Sequence, residues 1–472
     1  MTAYRASARQ ARADRRAPRS GQPPTVASRP LALAAVAALV SLSACGGSDS
    51  PVSSPSLATL GGAVPLIIGH RGLPGLYPEE TLPAYDGAVD AGADSLEEDL
   101  HLSQDCVLVA RHNPWLSDNT NITEIAKTNP TVAARKRTVP GVLVNVRYNL
   151  ATWGGPAQYL NDRTNPADPA SVLKSLVVDG EDHTGDWSIT DFTAAELKQW
   201  LGGTTYDAAA LRPSALNGQY PVLTMQEIID LAKAKSALTG RTITVYPEIK
   251  NPVWNNAQAI ANGCDLAKTG HPFEDAVLKL VKDNGLNTKT APIFVQSFDP
   301  ASLKYLRAAG LATRVVQLID GNDVDYKTGA LTYQTNDVYN FVDGRPYSWT
   351  INGDGRFFDV MLTAAGLAEI KTYADGIGPW KPQVMKLTGP TGTLAGVTAA
   401  TPTSLIADAH KAGLFVHVYT FRNEAKYLAG VFNADPGLEL LAYLRAGVDG
   451  VFTDFANTAV VTRKAYLKEL GL

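Results

Sequence analysis

Short apolar runs alternate along the chain with stretches whose apolar residues recur at helical spacing, and Gly, Asn, Asp and Pro punctuate the joins. The runs Pro65–Gly69, Ser95–Asp99, Val107–Arg111, Ile243–Glu248, Ile293–Ser297, Arg314–Leu318, Leu414–Tyr419 and Gly450–Thr453 read as strands, with Ala374–Gly378 a weaker ninth. Two of the intervening helices announce their starts with capping boxes, Thr193-x-x-Glu196 and Thr224-x-x-Glu227. Strand–helix alternation over this length predicts one α/β domain, a (β/α)₈ barrel, whose functional groups gather at the carboxyl ends of the strands. The stretches 115–190 and 320–365, rich in Asn, Asp, Gly and Pro, read as insertions on that barrel.

One pair of runs departs from the alternation. The gap between Asp99 and Val107 is too short for a parallel crossover, so these strands are expected to form an antiparallel hairpin turning at Gln104-Asp105. That turn puts Ser103 opposite Cys106 and Glu97 opposite His112. Glu97 and Asp99 leave the same face of their strand, so Glu97, Asp99 and His112 form one expected cluster, while Glu98 points away as a structural residue. A one-residue slip would undo this register.

The amino terminus has a different pattern. An arginine-rich stretch precedes Leu31–Val40 (LALAAVAALV), the layout of a secretory signal, and the apolar run is too short to span a membrane comfortably. Leu42-Ser43-Ala44-Cys45 resembles a bacterial lipobox, which makes 1–45 a lipoprotein signal and Cys45 the lipidation site. Residues 46–64, rich in Ser, Gly and Pro, are expected to be a flexible tether to a domain at 65–472. The implied location is the cell envelope, lipid-anchored and facing the periplasm or the surface. Gly46 after the cysteine suggests the outer membrane where the organism has one. In such an oxidising compartment Cys106 and Cys264 could pair, although nothing in the sequence brings them together.

Charge sharpens the picture. Residues 1–45 hold seven arginines and one acid, leaving 35 of the 42 basic and 45 of the 46 acidic side chains after them, a net −10 for the mature part. Such a surface is unsuited to a phosphate backbone, so nucleic acid is excluded as a bulk partner. Three cysteines form neither a disulfide framework nor a Cys-rich zinc site.

The candidate chemistry sits at strand ends. His70-Arg71 follows the first run between glycines, offering a proton-transferring imidazole and an anion-gripping guanidinium. Glu97 and Asp99 share a strand face and suit a hard divalent cation, since carboxylates in such a strand need a positive partner. His112 follows the hairpin. Glu248 and Lys250 share the face of another strand, a third carboxylate beside a second anion grip. Two histidines, three carboxylates, an arginine and a lysine are the parts of a metal-assisted phosphodiesterase. Zinc is disfavoured because oxygen ligands dominate and no thiol is near. Neither a GxSxG elbow nor a P-loop is present. Trp115, Trp187, Trp380 and Tyr419 are candidates for the alcohol side of a pocket, core packing being the alternative.

These residues resemble a known family. Gly69-His70-Arg71-Gly72, Pro78-Glu79-Glu80-Thr81, Gly92-Ala93-Asp94 with Glu97 and Asp99, Ser103-Gln104-Asp105 and His112 follow the pattern of the glycerophosphodiester phosphodiesterases, closest to their periplasmic, glycerol-phosphate-scavenging branch. Tyr246–Lys250, Gln296–Asp299, Tyr373–Pro379, Val416–Thr420 and Phe452–Phe455 continue it. The resemblance implies a TIM-type barrel and hydrolysis of glycerophosphodiesters to an alcohol and sn-glycerol 3-phosphate. It implies catalytic roles for His70 and His112, phosphate contacts from Arg71 and Lys250, and a calcium ion, or magnesium in its place, on Glu97, Asp99 and Glu248. Which histidine is acid and which base stays open, as does direct water attack against a cyclic phosphate. Two positions depart from the pattern: Asn113 replaces the Asp after the second histidine, and Glu80 replaces an Asn. Lysophospholipids, glycerol-phosphate polymers, or a binding role for a surface lipoprotein are the competing readings. Arg71 and Lys250 weigh against a deacetylase or sugar hydrolase.

Overall fold

The computed structural model describes residues 57–138, 176–179, 181–206, 210–333 and 344–472. The signal segment and Cys45 lie outside the described residues.

Nine strands build the main sheet: β1 (Leu66–Gly69), β2 (Ser95–Leu102), β3 (Leu108–Ala110), β4 (Thr244–Ile249), β5 (Phe294–Ser297), β6 (Arg314–Ile319), β7 (Gly376–Pro379), β8 (Phe415–Phe421) and β9 (Gly450–Thr453). All but β3 pair in parallel, in the order β1-β2-β4-β5-β6-β7-β8-β9, and β9 pairs back onto β1 to close an eight-stranded barrel. Helices between consecutive strands cover its outside, among them Leu82–Ala91 before β2 and Met225–Thr239 before β4. The expected barrel is therefore the observed fold. Both capping boxes form, with each Thr side chain accepting from the third helical N–H and each Glu reaching back to the cap.

The weak ninth run is a full stave, β7. Its signal is weak because Gly376 and Gly378 stand where side chains would collide: a Cβ at Gly376 would enter the Phe415 ring, and one at Gly378 would come 2.5 Å from Leu318 Cδ2.

Alternation divides the strands' side chains between two cores. Ile67, Leu96, Val245, Val295, Val315, Ile377, Val416 and Val451 pack outward under the helices. Ile68, Tyr246, Phe294, Val316 and Phe452 fill the barrel interior, where the Tyr246 and Phe294 rings stack 4.6 Å apart.

Two expectations need correction. The β2–β3 hairpin is antiparallel as expected, but Leu100 faces Ala110 and Leu102 faces Leu108, one residue away from the expected register. Ser103 N–H bonds Val107 O, and Cys106 takes a left-handed φ of +67°, so the turn holds one more residue than expected. Cys106 is disulfide-bonded to Cys264, 158 residues away and just past the helix Pro252–Ala261. The tether also ends earlier than expected. Leu57 is buried in the main core and Leu60 N–H donates to Asp449 at 2.7 Å, so 57–64 is anchored to the barrel because its apolar side chain finds a core site. Residues 46–56 lie outside the described residues.

The first insertion carries a satellite core of its own, including Leu116, Ile122, Val132, Trp187, Ile189 and Phe192. Trp187 is thus a packing residue, and Trp115 stacks on His183. No helix among the described residues is long and apolar enough to cross a membrane.

Candidate active site

A cleft of about 190 Å³ opens at the carboxyl ends of the strands, and His70, Arg71, Glu97, His112, Glu248 and Lys250 all line it. Each arrives for a local reason. Past β1 the chain turns within Gly69–Gly72, where Gly72 N–H bonds Gly69 O at 3.0 Å. Gly72 must be glycine: its φ is +90° and a Cβ would lie 2.6 Å from the Ala84 backbone. Arg71, at φ +53°, is held in a left-handed conformation costly for any residue with a Cβ, and its N–H donates to Glu97 Oε2 at 2.8 Å.

Glu97 and Asp99 point into the barrel from β2, and the β2–β4 register places Asp99 beside Glu248. One oxygen from each of Glu97, Asp99 and Glu248 falls within 4.8 Å of the others, and all three residues are buried. Arg71 Nε lies 2.8 Å from Asp99 Oδ2, and Lys250 Nζ lies 3.6 Å from Asp99 and 3.4 Å from Glu248. Glu98 faces the other way, buried, and accepts Tyr246 N–H at 3.1 Å, a structural tie between β2 and β4.

His112 does not reach the cluster as the cross-strand partner of Glu97. It comes from the chain just past β3, where Arg111 N–H bonds Asp99 O at 2.9 Å. The fully buried Arg111 guanidinium bonds the carbonyls of Glu79, Glu80 and Asn119, fastening this segment to the loop after β1. Asn113, the departure from the family pattern, bonds Tyr206, whose ring lies 5.4 Å from His112. Glu80, the other departure, accepts Asp99 N–H at 2.8 Å.

Burial sets the titration of the site. It pushes His70 and His112 below the ordinary histidine value, helped by the Arg71 charge, so both imidazoles are neutral near pH 7. Burial and Asp99 raise Glu97, and burial raises Glu248 to about 8 against the pull of Lys250. Burial opposes the Asp99 carboxylate as well, but Lys250 and Arg71 outweigh it and hold Asp99 ionised. Three carboxylates thus face two cations. A divalent cation would satisfy the raised carboxyls and leave charge for one phosphodiester anion, and the all-oxygen donor set is of the kind calcium and magnesium take. The residues fit such an ion.

Sequence reasoning assigned no role to Asp454, although it follows β9 as His70 follows β1. His70 Nδ1 lies 2.6 Å from Asp454 Oδ1. The other oxygen of Asp454 lies 2.6 Å from Arg212 and 3.3 Å from Arg422, and these guanidiniums hold the carboxyl well below its usual range against burial. A carboxylate only accepts, so Nδ1 carries the proton and His70 Nε2 keeps its lone pair. Arg212 itself comes from the segment just before the helix Met225–Thr239 and also pairs with Glu424 at 2.6 Å. Gln296 was likewise missed; its amide donates to Glu97 at 3.2 Å. Of the aromatic candidates, Trp380 and Tyr419 line the cleft.

The sequence pattern of the glycerophosphoryl diester phosphodiesterase family matches residues 70–458. The chain belongs to this family. It is 32% identical over 402 residues to a glycerophosphodiester phosphodiesterase of Arabidopsis thaliana, covering 84% of each chain. It is 25% identical over 400 residues to a glycerophosphodiester phosphodiesterase of Haemophilus influenzae, covering 84% of this chain and 88% of the relative. A phosphodiesterase of Oleispira antarctica solved with sn-glycerol 3-phosphate is similar at 15% identity and a TM-score of 0.44, covering 85% of this chain and 97% of that one. As a member of this family the chain is an enzyme that hydrolyses glycerophosphodiesters.

Proposed function

We propose that hydrolysis depends on a divalent cation held by Glu97, Asp99 and Glu248, calcium by preference with magnesium as a substitute. The observation that carries this reading is the cluster of three buried carboxylates at a cleft lined by Arg71, Lys250, His70 and His112. When bound, the cation would neutralise charge on the phosphate and orient the glycerol hydroxyls. Arg71 and Lys250 grip the phosphate oxygens from the same wall. His70, with its Nε2 lone pair left free by the Asp454 bond, accepts the proton of the oxygen that attacks phosphorus, which is water directly or a glycerol hydroxyl whose cyclic phosphate water then opens, as the bond from phosphorus to the departing alcohol breaks. His112 supplies the proton to the departing alcohol. Burial keeps both imidazoles neutral before substrate enters, so His112 must first take up a proton, which the phosphodiester's negative charge favours.

The same reading extends to location. We infer that Cys45 is lipidated and that the enzyme hangs in the cell envelope, on the outer membrane where one exists, acting on small soluble diesters. The Cys106–Cys264 bond supports this, since such bonds persist in oxidising compartments. Release of glycerol 3-phosphate from glycerophosphocholine is expected to stop in EDTA and return with calcium or magnesium. Full turnover in excess chelator would defeat the metal assignment. Metabolic labelling with a fatty acid is expected to mark the wild type and not Cys45→Ser.

A further inference from the structure

Beyond the catalytic groups the cleft continues between the loop after β6 and the strands β7 and β8, and this half contains an unexplained feature. Asn322 lines the cleft and is only 1% exposed, yet both its amide nitrogen and its amide oxygen lack a hydrogen-bond partner. Its backbone is well fixed, the N–H donating to Thr332 O at 2.8 Å. Gly321 before it packs against the rings of Trp380 and Tyr333, where an added Cβ would lie 3.4 Å from each. The loop is thus seated by aromatic contacts, with Asn322 on the cleft wall and its carboxamide buried behind it.

Buried polar atoms without partners are costly, and a carboxamide with both ends open matches a group that donates and accepts at once, a hydroxyl. The walls agree with an alcohol of modest polarity. Trp380 and Tyr419 add aromatic surface to the lining. The nearby charges are already engaged with one another or with hydroxyls. Lys381 donates to both oxygens of Glu439 at 2.9 Å, Asp320 accepts the Tyr419 hydroxyl at 3.0 Å, and Arg422 faces Asp454. A quaternary ammonium would need a cage without cations, and Lys381 and Arg422 line this one.

We propose that this half of the cleft is the subsite for the departing alcohol and that it selects a neutral polyhydroxy group, a second glycerol or a cyclitol ring, through Asn322. The proposal rests on the reading of the cleft as the glycerophosphodiester site. Sites built to bond a hydroxyl discriminate strongly against analogues that leave the site's groups unpaired.

The test compares kcat/KM for glycerophosphoglycerol and glycerophosphoinositol with that for glycerophosphocholine at saturating calcium. The wild type is expected to favour the polyol diesters at least tenfold. In Asn322→Ala and the near-isosteric Asn322→Asp the polyol-to-choline ratio is expected to fall tenfold or more. A wild-type ratio near one, or a ratio that either folded variant leaves within twofold of the wild type, overturns the subsite while the hydrolase reading stands. Hydrolysis of none of the three diesters by the folded, metal-loaded wild type overturns the hydrolase reading, and the subsite with it. The wild-type comparison needs no variant, so misfolding of the mutants does not shelter the proposal.

Discussion

Replacing Asp454 with Asn tests the most specific electrostatic claim about the site. The change keeps the shape of the side chain and removes its charge. In the wild type, His70 Nδ1 sits 2.6 Å from a carboxylate that two guanidiniums keep ionised. Losing a hydrogen bond to a charged group costs about 1.5–3 kcal/mol. If that bond matters fully in the transition state, turnover falls roughly tenfold to a hundredfold, at about 1.4 kcal/mol per decade. An amide can also donate to Nδ1 and so stabilise the other tautomer, turning the lone pair away from the substrate. In serine-protease triads the equivalent change costs about 10⁴-fold for this reason. The expected loss in kcat for Asp454→Asn is therefore between roughly tenfold, from the bond alone, and about 10⁴-fold, if the tautomer also changes, with KM little changed. The direction of the pH effect follows from the same contacts. Asp454 raises His70 against burial and Arg71, so its removal lowers the imidazole further, and the acidic limb of kcat/KM moves to lower pH. Steady-state kinetics from pH 5 to 9, with calorimetric calcium titration and thermal melts as controls, decide it. Activity within threefold of wild type, or a loss matched by lost calcium binding, would refute the assignment of Asp454 to His70 alone.

Other consequences are as direct. His112→Ala is expected to lower turnover at least ~10²-fold while calcium binding and the melting temperature hold, and normal turnover removes His112 from the chemistry. The Cys106–Cys264 bond closes a span of 158 residues, for which the chain-entropy relation gives up to about 5 kcal/mol at 25 °C. Chemical unfolding of Cys106→Ser/Cys264→Ser against the oxidised wild type is expected to show a loss of 2–5 kcal/mol, and matched midpoints would mean that the bond contributes nothing. His417 is buried in the barrel beside the Tyr246 hydroxyl and held down at about 4, chiefly by burial. It is neutral when folded, so its contribution is fully present above the unfolded value near 6.5 and is lost as pH falls toward 4, to a limit of about 3 kcal/mol. Urea unfolding at pH 7 and pH 4 is expected to show a smaller acid loss in His417→Gln than in the wild type.

The sequence alone determined the staves and the groups that sit on them. Short, nearly continuous apolar runs mark β1, β4, β5, β6, β8 and β9 because one face of each strand meets the helices and the other the barrel interior. Glu97 with Asp99, and Glu248 with Lys250, share faces because strand side chains repeat every second residue, a local rule that holds before any tertiary contact exists. His70-Arg71 was legible for the same reason, a polar pair just past an apolar run. The register of the hairpin was not, because it depends on the left-handed Cys106, and nothing local marks an ordinary residue that will take that conformation. β7 read weakly because its glycines answer to Phe415 and Leu318 on other strands. Asp454 meets His70 across 384 residues only because β9 closes onto β1, and Arg212 is carried to it by the irregular segment before the helix Met225–Thr239, which has no periodic pattern of its own. Periodicity thus tells each strand which residues face inward. Barrel closure, which sums contacts over the whole chain, decides which inward residues meet: the partner of His70, the bond between Cys106 and Cys264, and the placing of Asn322 in the cleft.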